Sequence, residues 1–239
     1  MVLQMDGVYV LGRPEAGSCP GLELKSAVLY PQNSPGDRWM LADKCTAEAF
    51  LPLLTGLLRE AGLTDQDTLI GLGDGASWID NALFELNAIR ITDVFHAAEY
   101  LDVVMQAMNW DEAKRLVHRR SWYRAELNAR DWLERYLPEP DSWLTWDKAA
   151  QTALNYLESR LDSMDYALFA RQGFPIGSGQ VEAMNKSVIG HRLKRSGMHW
   201  SQSGAAAMAA LRAQTCARHS LTDFDALRFQ SFALEASSP

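Results

Sequence analysis

A chain of 239 residues with 47% hydrophobic side chains can bury a sizeable core, which argues against disorder or low complexity. No apolar run approaches the ~20 residues that a membrane-spanning helix needs. Asp6 interrupts the apolar start where a secretory leader would run, so no membrane partner is expected and the expected location is cytoplasmic. The net charge of −7 argues, by itself, against a protein that handles nucleic acid.

Residues 2–10 are short and β-rich and read as a strand. Gly12 to Gly21 carries Gly, Pro and Ser and reads as a loop. Leu22–Tyr30 is a second strand, Pro31 to Gly36 a turn, and Arg38–Leu41 a third strand. From Thr46 the period becomes helical: Phe50, Leu53, Leu54, Leu57 and Leu58 share one face until Gly62 ends it. Asp67–Leu72 is a buried strand that stops at Gly73-Asp74-Gly75, followed by a helix from about Ser77 to Leu86 and a short strand over Ala88–Val94. This order predicts an α/β fold, a mixed sheet with helices packed on it.

Residues 97–170 are charged, hold Trp110, Trp122, Trp132, Trp143 and Trp146, and read as an all-helical insertion with a break at Pro138 and Pro140. Gly173 to Gly179 is a loop, helix resumes near Gln180, a last helix covers about Gly204 to Ala217, and the tail from Ser231 is expected to fray. Cys19, Cys45 and Cys216 are odd in number and far apart, which favours idle thiols over a disulfide framework or zinc knuckle. Between Arg171 and His219 the only acid is Glu182, against Arg171, Lys186, Arg192, Lys194, Arg195, Arg212 and Arg218. Such a basic stretch is compatible with DNA contact and equally with an ordinary solvated helix face.

Three acids stand where acids are awkward unless used. Asp6 lies inside an apolar strand, where a buried carboxylate needs a partner or a metal. The bland alternative is a solvent-facing position on an edge strand. Asp74 sits between two glycines at the carboxyl end of a strand, where open α/β sheets bind ligands; alone it would be a turn aspartate that caps the next helix. Glu182 opens a helix and alone would complement its dipole or pair with Lys186. Oxygen ligands on separate elements suit Mg²⁺ or Mn²⁺, and two such ions can clamp the attacking and leaving oxygens of a phosphoryl displacement.

Ile-Gly-Ser-Gly-Gln-Val-Glu at 176–182 and His-Arg-Leu-Lys-Arg-Ser-Gly-Met-His-Trp-Ser at 191–201 resemble the C-terminal signature of bacterial Kra-type insertion-sequence transposases, which belong with the Mutator-like transposases. Residues 72–79, 92–101, Gly204-Ala205 and 211–213 extend the similarity, which runs from about Asp6 to Ala213. The resemblance implies an RNase H-like fold with a helical insertion before the last catalytic acid. Its parts would be a first core segment over 1–96, the insertion over 97–170, a second core segment over 171–220 and a tail over 221–239. It implies that Asp6, Asp74 and Glu182 are the catalytic DDE acids and hold two Mg²⁺ or Mn²⁺ ions. The reaction implied is strand cleavage and strand transfer of DNA, without a covalent enzyme intermediate. Asp93 and His96 match the D-x-x-H element of Mutator-like relatives, although a lone His at a helix start is more often structural.

Lys186, Arg192, Lys194 and Arg195 are candidate phosphate contacts, and Trp200 a candidate base-stacking residue whose commoner role is core packing. The implied partners are transposon ends, target DNA and further copies of the chain on DNA. Relatives carry an N-terminal region that recognises the element's ends, whereas here the first catalytic strand begins almost at Met1. A separately encoded or missing DNA-binding region is therefore expected. Two alternatives stand beside this reading: a non-catalytic remnant that regulates by binding DNA or a full-length transposase, and another RNase H-like nuclease.

Overall fold

The computed structural model describes residues 1–14, 19–139 and 143–219. The expected tail, the middle of the loop after Gly12, and Pro140 lie outside the described residues. The chain divides into two compact units, the first made of Met1–Ile89 with Ser178–Pro239 and the second of Arg90–Gly177.

A mixed five-stranded sheet carries the order β3-β2-β1-β4-β5. Its strands are β1 (Val2–Leu11), β2 (Gly21–Tyr30), β3 (Trp39–Asp43), β4 (Ile70–Gly73) and β5 (Ile89–Thr92). β1 pairs antiparallel with β2, β2 antiparallel with β3, and β1 parallel with β4. The expected strand over Asp67–Leu72 starts later, because the Asp67 carboxylate accepts from the Thr64 amide at 2.9 Å and hydroxyl at 2.8 Å, holding 64–67 in a turn. The third strand runs past Leu41 to Asp43, where Lys25 on β2 is its partner.

In the first unit, alternation along the strands sends two sets of side chains to opposite faces. Leu3, Met5, Ala27, Leu29 and Leu41 form one core with α1 (Ala47–Glu60) and α2 (Ser77–Glu85). α1 contributes Phe50, Leu53, Leu54 and Leu57, four of the five residues that its helical period marked, and α2 contributes Ile79 and Leu83. β4 is thin at this contact. A Cβ on Gly71 would sit 2.2 Å from Leu83 Cδ2, and one on Gly73 would sit 2.4 Å from Ile79 Cγ2, so α2 approaches the sheet where side chains are missing. Leu24, Val28, Tyr30, Met40 and Ala42 are also buried, so the strands lose water on both faces.

The other helices of the first unit are α8 (Gly179–Met184) and α9 (Gln202–Cys216). A π-helical segment, Asn185–Gly190, and one further turn, His191–Leu193, continue α8. α9 packs on β2 and β3 through an alanine-rich face that includes Ala205, Ala206, Ala209, Ala210 and Ala213.

The second unit is helical apart from the end of β5. It holds α3 (Val94–Ala107), α4 (Glu112–Tyr123), α5 (Ala129–Tyr136), α6 (Lys148–Glu158) and α7 (Tyr166–Arg171). α3 packs against α4 and α6. Trp122 and Trp132 are buried, and Trp110, His118, Trp132 and Tyr136 form one cluster of rings. Asp102 accepts from Arg115 at 2.8 Å and Arg119 at 2.9 Å, tying α3 to α4. Tyr166 donates to the Thr92 carbonyl at 3.0 Å, and its burial pushes the phenol well above its ordinary range.

Candidate functional site

β1 and β4 run parallel with Val2 opposite Ile70, Leu3 opposite Gly71 and Gln4 opposite Leu72. The pairing ends at Gln4 and Leu72, so Asp6 and Asp74 each lie two residues beyond it. The chain leaves β4 after Gly73 and turns. Asp74 Oδ1 accepts from the Ala76 amide at 2.8 Å, and Gly75 sits at φ 83°, a backbone region open to glycine without strain. Asp74 therefore shapes the turn into α2, as a turn aspartate would.

Asp6 lies on the strand face that also carries Gln4, two residues earlier. Its backbone carbonyl accepts from Ser26 Oγ at 3.0 Å. Oδ1 accepts from the Gly7 amide at 2.7 Å, and Oδ2 accepts from Asn185 Nδ2 at 2.7 Å. The half-buried carboxylate is thus gripped by its own strand and by the π segment.

Glu182 reaches the same place because β1 holds its helix. Ser178 precedes α8 without a side-chain cap bond. Instead Gln4 Oε1, buried on β1, accepts from the amides of Gln180 at 3.0 Å and Val181 at 3.1 Å. Two of the amides that a helix start leaves unpaired are thereby satisfied by a side chain more than 170 residues away. The Gln4 amide donates to Tyr30 Oη at 2.8 Å. Burial pushes the Tyr30 phenol up to about 12, and the Gln4 donor pulls the other way.

Glu182, Asn185, Lys186, Gly190 and Lys194 then line one cleft with Asp6, Gly7, Val8 and Tyr9, a cavity of about 490 Å³. Glu182 is exposed and accepts a long 3.4 Å bond from Ser178 Oγ. Lys186 and Lys194 are exposed on the same wall. The π segment widens the helical turn, and Arg212 from α9 reaches the carbonyls of Ser187 at 2.6 Å and Val188 at 3.4 Å. Asp74 is outside the lining of this cleft. Among the described residues, no three His, Cys, Asp or Glu side chains form a group that could hold a metal ion. The cleft does offer carboxylate oxygens from Asp6 and Glu182, while Asn185 Oδ1 is buried without a hydrogen-bond partner. That all-oxygen set is the kind that magnesium or manganese prefers.

The remaining candidates are placed as follows. Asp93 is buried and caps α3, with Oδ1 accepting from Phe95 at 2.9 Å and His96 at 2.8 Å. The D-x-x-H spacing is here the spacing between a cap and the third helical residue. His96 is exposed on the first turn of α3, and both residues belong to the second unit. Arg192 is half-buried, its guanidinium 5.7 Å from the Trp200 ring centre, while Arg195 Nε donates to the His191 carbonyl at 2.6 Å. Trp200 is half-buried with its indole N–H on the Leu193 carbonyl at 3.0 Å, and its backbone bonds to Leu11 and Arg13 beside β1.

Sequence reasoning missed Gln4, Asn185 and the bonds of Arg212 to the π segment. Gln4 carried a signal, a polar residue two before Asp6 in an apolar strand; Asn185 carried one too, three residues after Glu182 on the same helix face. The chain matches no family model, and no curated protein matches it.

Proposed function

We propose that this chain is the catalytic part of an RNase H-like DDE transposase, similar to the Kra-type, Mutator-like group, which cleaves DNA strands and joins them to a target. The observation that carries the reading is the open cleft shared by Asp6 and Glu182, with Lys186 and Lys194 on its wall. Support for the third acid comes from the parallel pairing of β1 with β4, beyond whose last pair, Gln4 with Leu72, Asp6 and Asp74 each follow by two residues. In this reading Asp6, Asp74 and Glu182 hold two Mg²⁺ or Mn²⁺ ions, which supply the positive charge that activates a nucleophile and stabilises the phosphoryl transition state. Lys186 and Lys194 hold the DNA phosphates by charge, and Asn185 with Gly7 keeps the Asp6 carboxylate oriented.

The test is end cleavage and joining of an oligonucleotide into plasmid DNA by the full chain, with Mg²⁺ or Mn²⁺ present and then chelated. Asp74→Asn and Glu182→Gln are each expected to lower the rate by about a thousandfold or more, within what loss of charge stabilisation costs. Activity that survives chelation or both substitutions would overturn the assignment.

A second reading keeps the DNA contact and drops the chemistry. The observation behind it is Asp74, held in the turn and outside the cleft lining. It predicts DNA binding by the full chain that Asp74→Asn leaves unchanged, with no cleavage in either metal.

A further inference from the structure

Asn185 is 8% exposed and opens the π segment directly after the helix that carries Glu182. Its Nδ2 donates to Asp6 Oδ2 at 2.7 Å, and its Oδ1 is buried without a hydrogen-bond partner. A buried acceptor left without a donor is unfavourable, so the amide orientation requires a reason. Asp6 provides it: turning the amide over would set a carbonyl oxygen against a carboxylate oxygen. The side chain thus gives up one of its own hydrogen bonds to serve the carboxylate.

We infer that Asn185 is a positioning residue for the Asp6 carboxylate, holding it in the orientation in which Asp6 and Glu182 take a divalent cation. The inference rests on the reading of this cleft as a metal-dependent site. Two clamps join the strand of Asp6 to the helix of Glu182, and they divide the work. Gln4 holds the start of the helix through backbone amides and touches neither acid, whereas Asn185 grips Asp6 itself. Side chains that orient a metal's carboxylate ligands change affinity by 10–100-fold when removed.

The test is titration of the full-length chain with Mn²⁺ alone, with free Mn²⁺ read by electron paramagnetic resonance and the unfolding midpoint measured on each variant. Asn185→Leu keeps the size and removes the donor. It is expected to weaken Mn²⁺ binding by about tenfold or more, and Asn185→Gln to recover part of the loss. Thr46→Ala, which removes the cap of α1 outside the cleft lining, is expected to lower the unfolding midpoint while holding Mn²⁺ affinity within about twofold of the parent, since metal-ligand effects come from groups bonded to the ligand. Equal losses of affinity in Asn185→Leu and Thr46→Ala would reduce Asn185 to a packing role and overturn the inference. So would parental affinity in a folded Asn185→Leu chain whose Glu182→Gln counterpart binds weakly, an outcome that leaves the metal site standing. Should Asn185→Leu fail to fold, Asn185→Ser, shorter and with a hydroxyl donor, takes its place with the same expectation. A parent chain that takes up no Mn²⁺, and that Asp6→Asn leaves unchanged, removes the metal site and this inference together.

Discussion

Gln4 shows how one polar side chain inside a sheet can organise a distant helix. It is buried, and each of its two amide atoms is used: Oε1 accepts from two amides at the start of α8, and Nε2 donates to the Tyr30 hydroxyl. Gln4→Leu strands those two amides and removes the donor to the phenol, and an unmet buried bond costs about 1–3 kcal/mol. The expected loss in urea unfolding is about 2–4 kcal/mol by the same reckoning, with allowance for relaxation of the helix start. The neighbouring Tyr30 gives a pH signature. Its phenol ordinarily ionises at 10.0 and is pushed up to about 12 in the folded chain, chiefly by burial. The folded state therefore favours the neutral phenol. Its contribution is fully present below pH 10 and is lost as pH rises from there through about 12. Denaturation midpoints measured across that window should fall more steeply for the parent than for Tyr30→Phe. A parallel fall in both would place the titration elsewhere.

The helices owe most of their ends to local sequence. Thr46, Asp93, Asp111, Asn128, Asp147, Asp165 and Ser201 each accept an amide from the first turn they precede. α2 and α8 lack such a bond, and both take their place from the sheet instead. For α2 the means is close approach over Gly71 and Gly73. Gly73→Ala would press a methyl to 2.4 Å from Ile79 Cγ2, where the neighbour is a buried branched side chain with little room to yield. The expected cost is about 1–3 kcal/mol, the usual range for overpacking. Gly36→Ala, whose added Cβ meets nothing within 4 Å, is the control and should stay within about 0.5 kcal/mol of the parent. Urea unfolding of the two variants measures the difference, and equal stabilities would mean that α2 moves freely on β4.

Across the whole molecule, a net charge of −7 coexists with a cleft wall carrying Lys186 and Lys194. Binding of a short DNA duplex should therefore weaken as salt rises, and each of Lys186→Ala and Lys194→Ala should reduce the slope of log K against log salt by about 1. Fluorescence anisotropy at several salt concentrations reads that slope, and an unchanged slope in both variants would remove these lysines from the DNA surface. The same scale separates what was legible in the chain from what was not. A short β-rich composition marked β1, and a helical period marked α1, because burial of one helix face imposes a local repeat. The α/β class followed from the order of those elements. Asp6, Asp74 and Glu182 stood out as acids at a strand interior, a strand end and a helix start. Whether any of them meet is a different matter, since residues 6 and 182 are brought together by tertiary bonds such as those of Gln4 and Asn185 between β1 and one helix. The π segment was equally hidden, because its widened turn is supported by Arg212 from another helix. Sequence by itself determined the main strands and helices of the first unit and the helical character of residues 97–170, both of which depend on neighbours a few positions away. Only the tertiary structure decided that Asp6 and Glu182 share a cleft and that Asp74 lies in the turn outside its lining. Those contacts come from hydrogen bonds between groups distant along the chain, which no local period encodes.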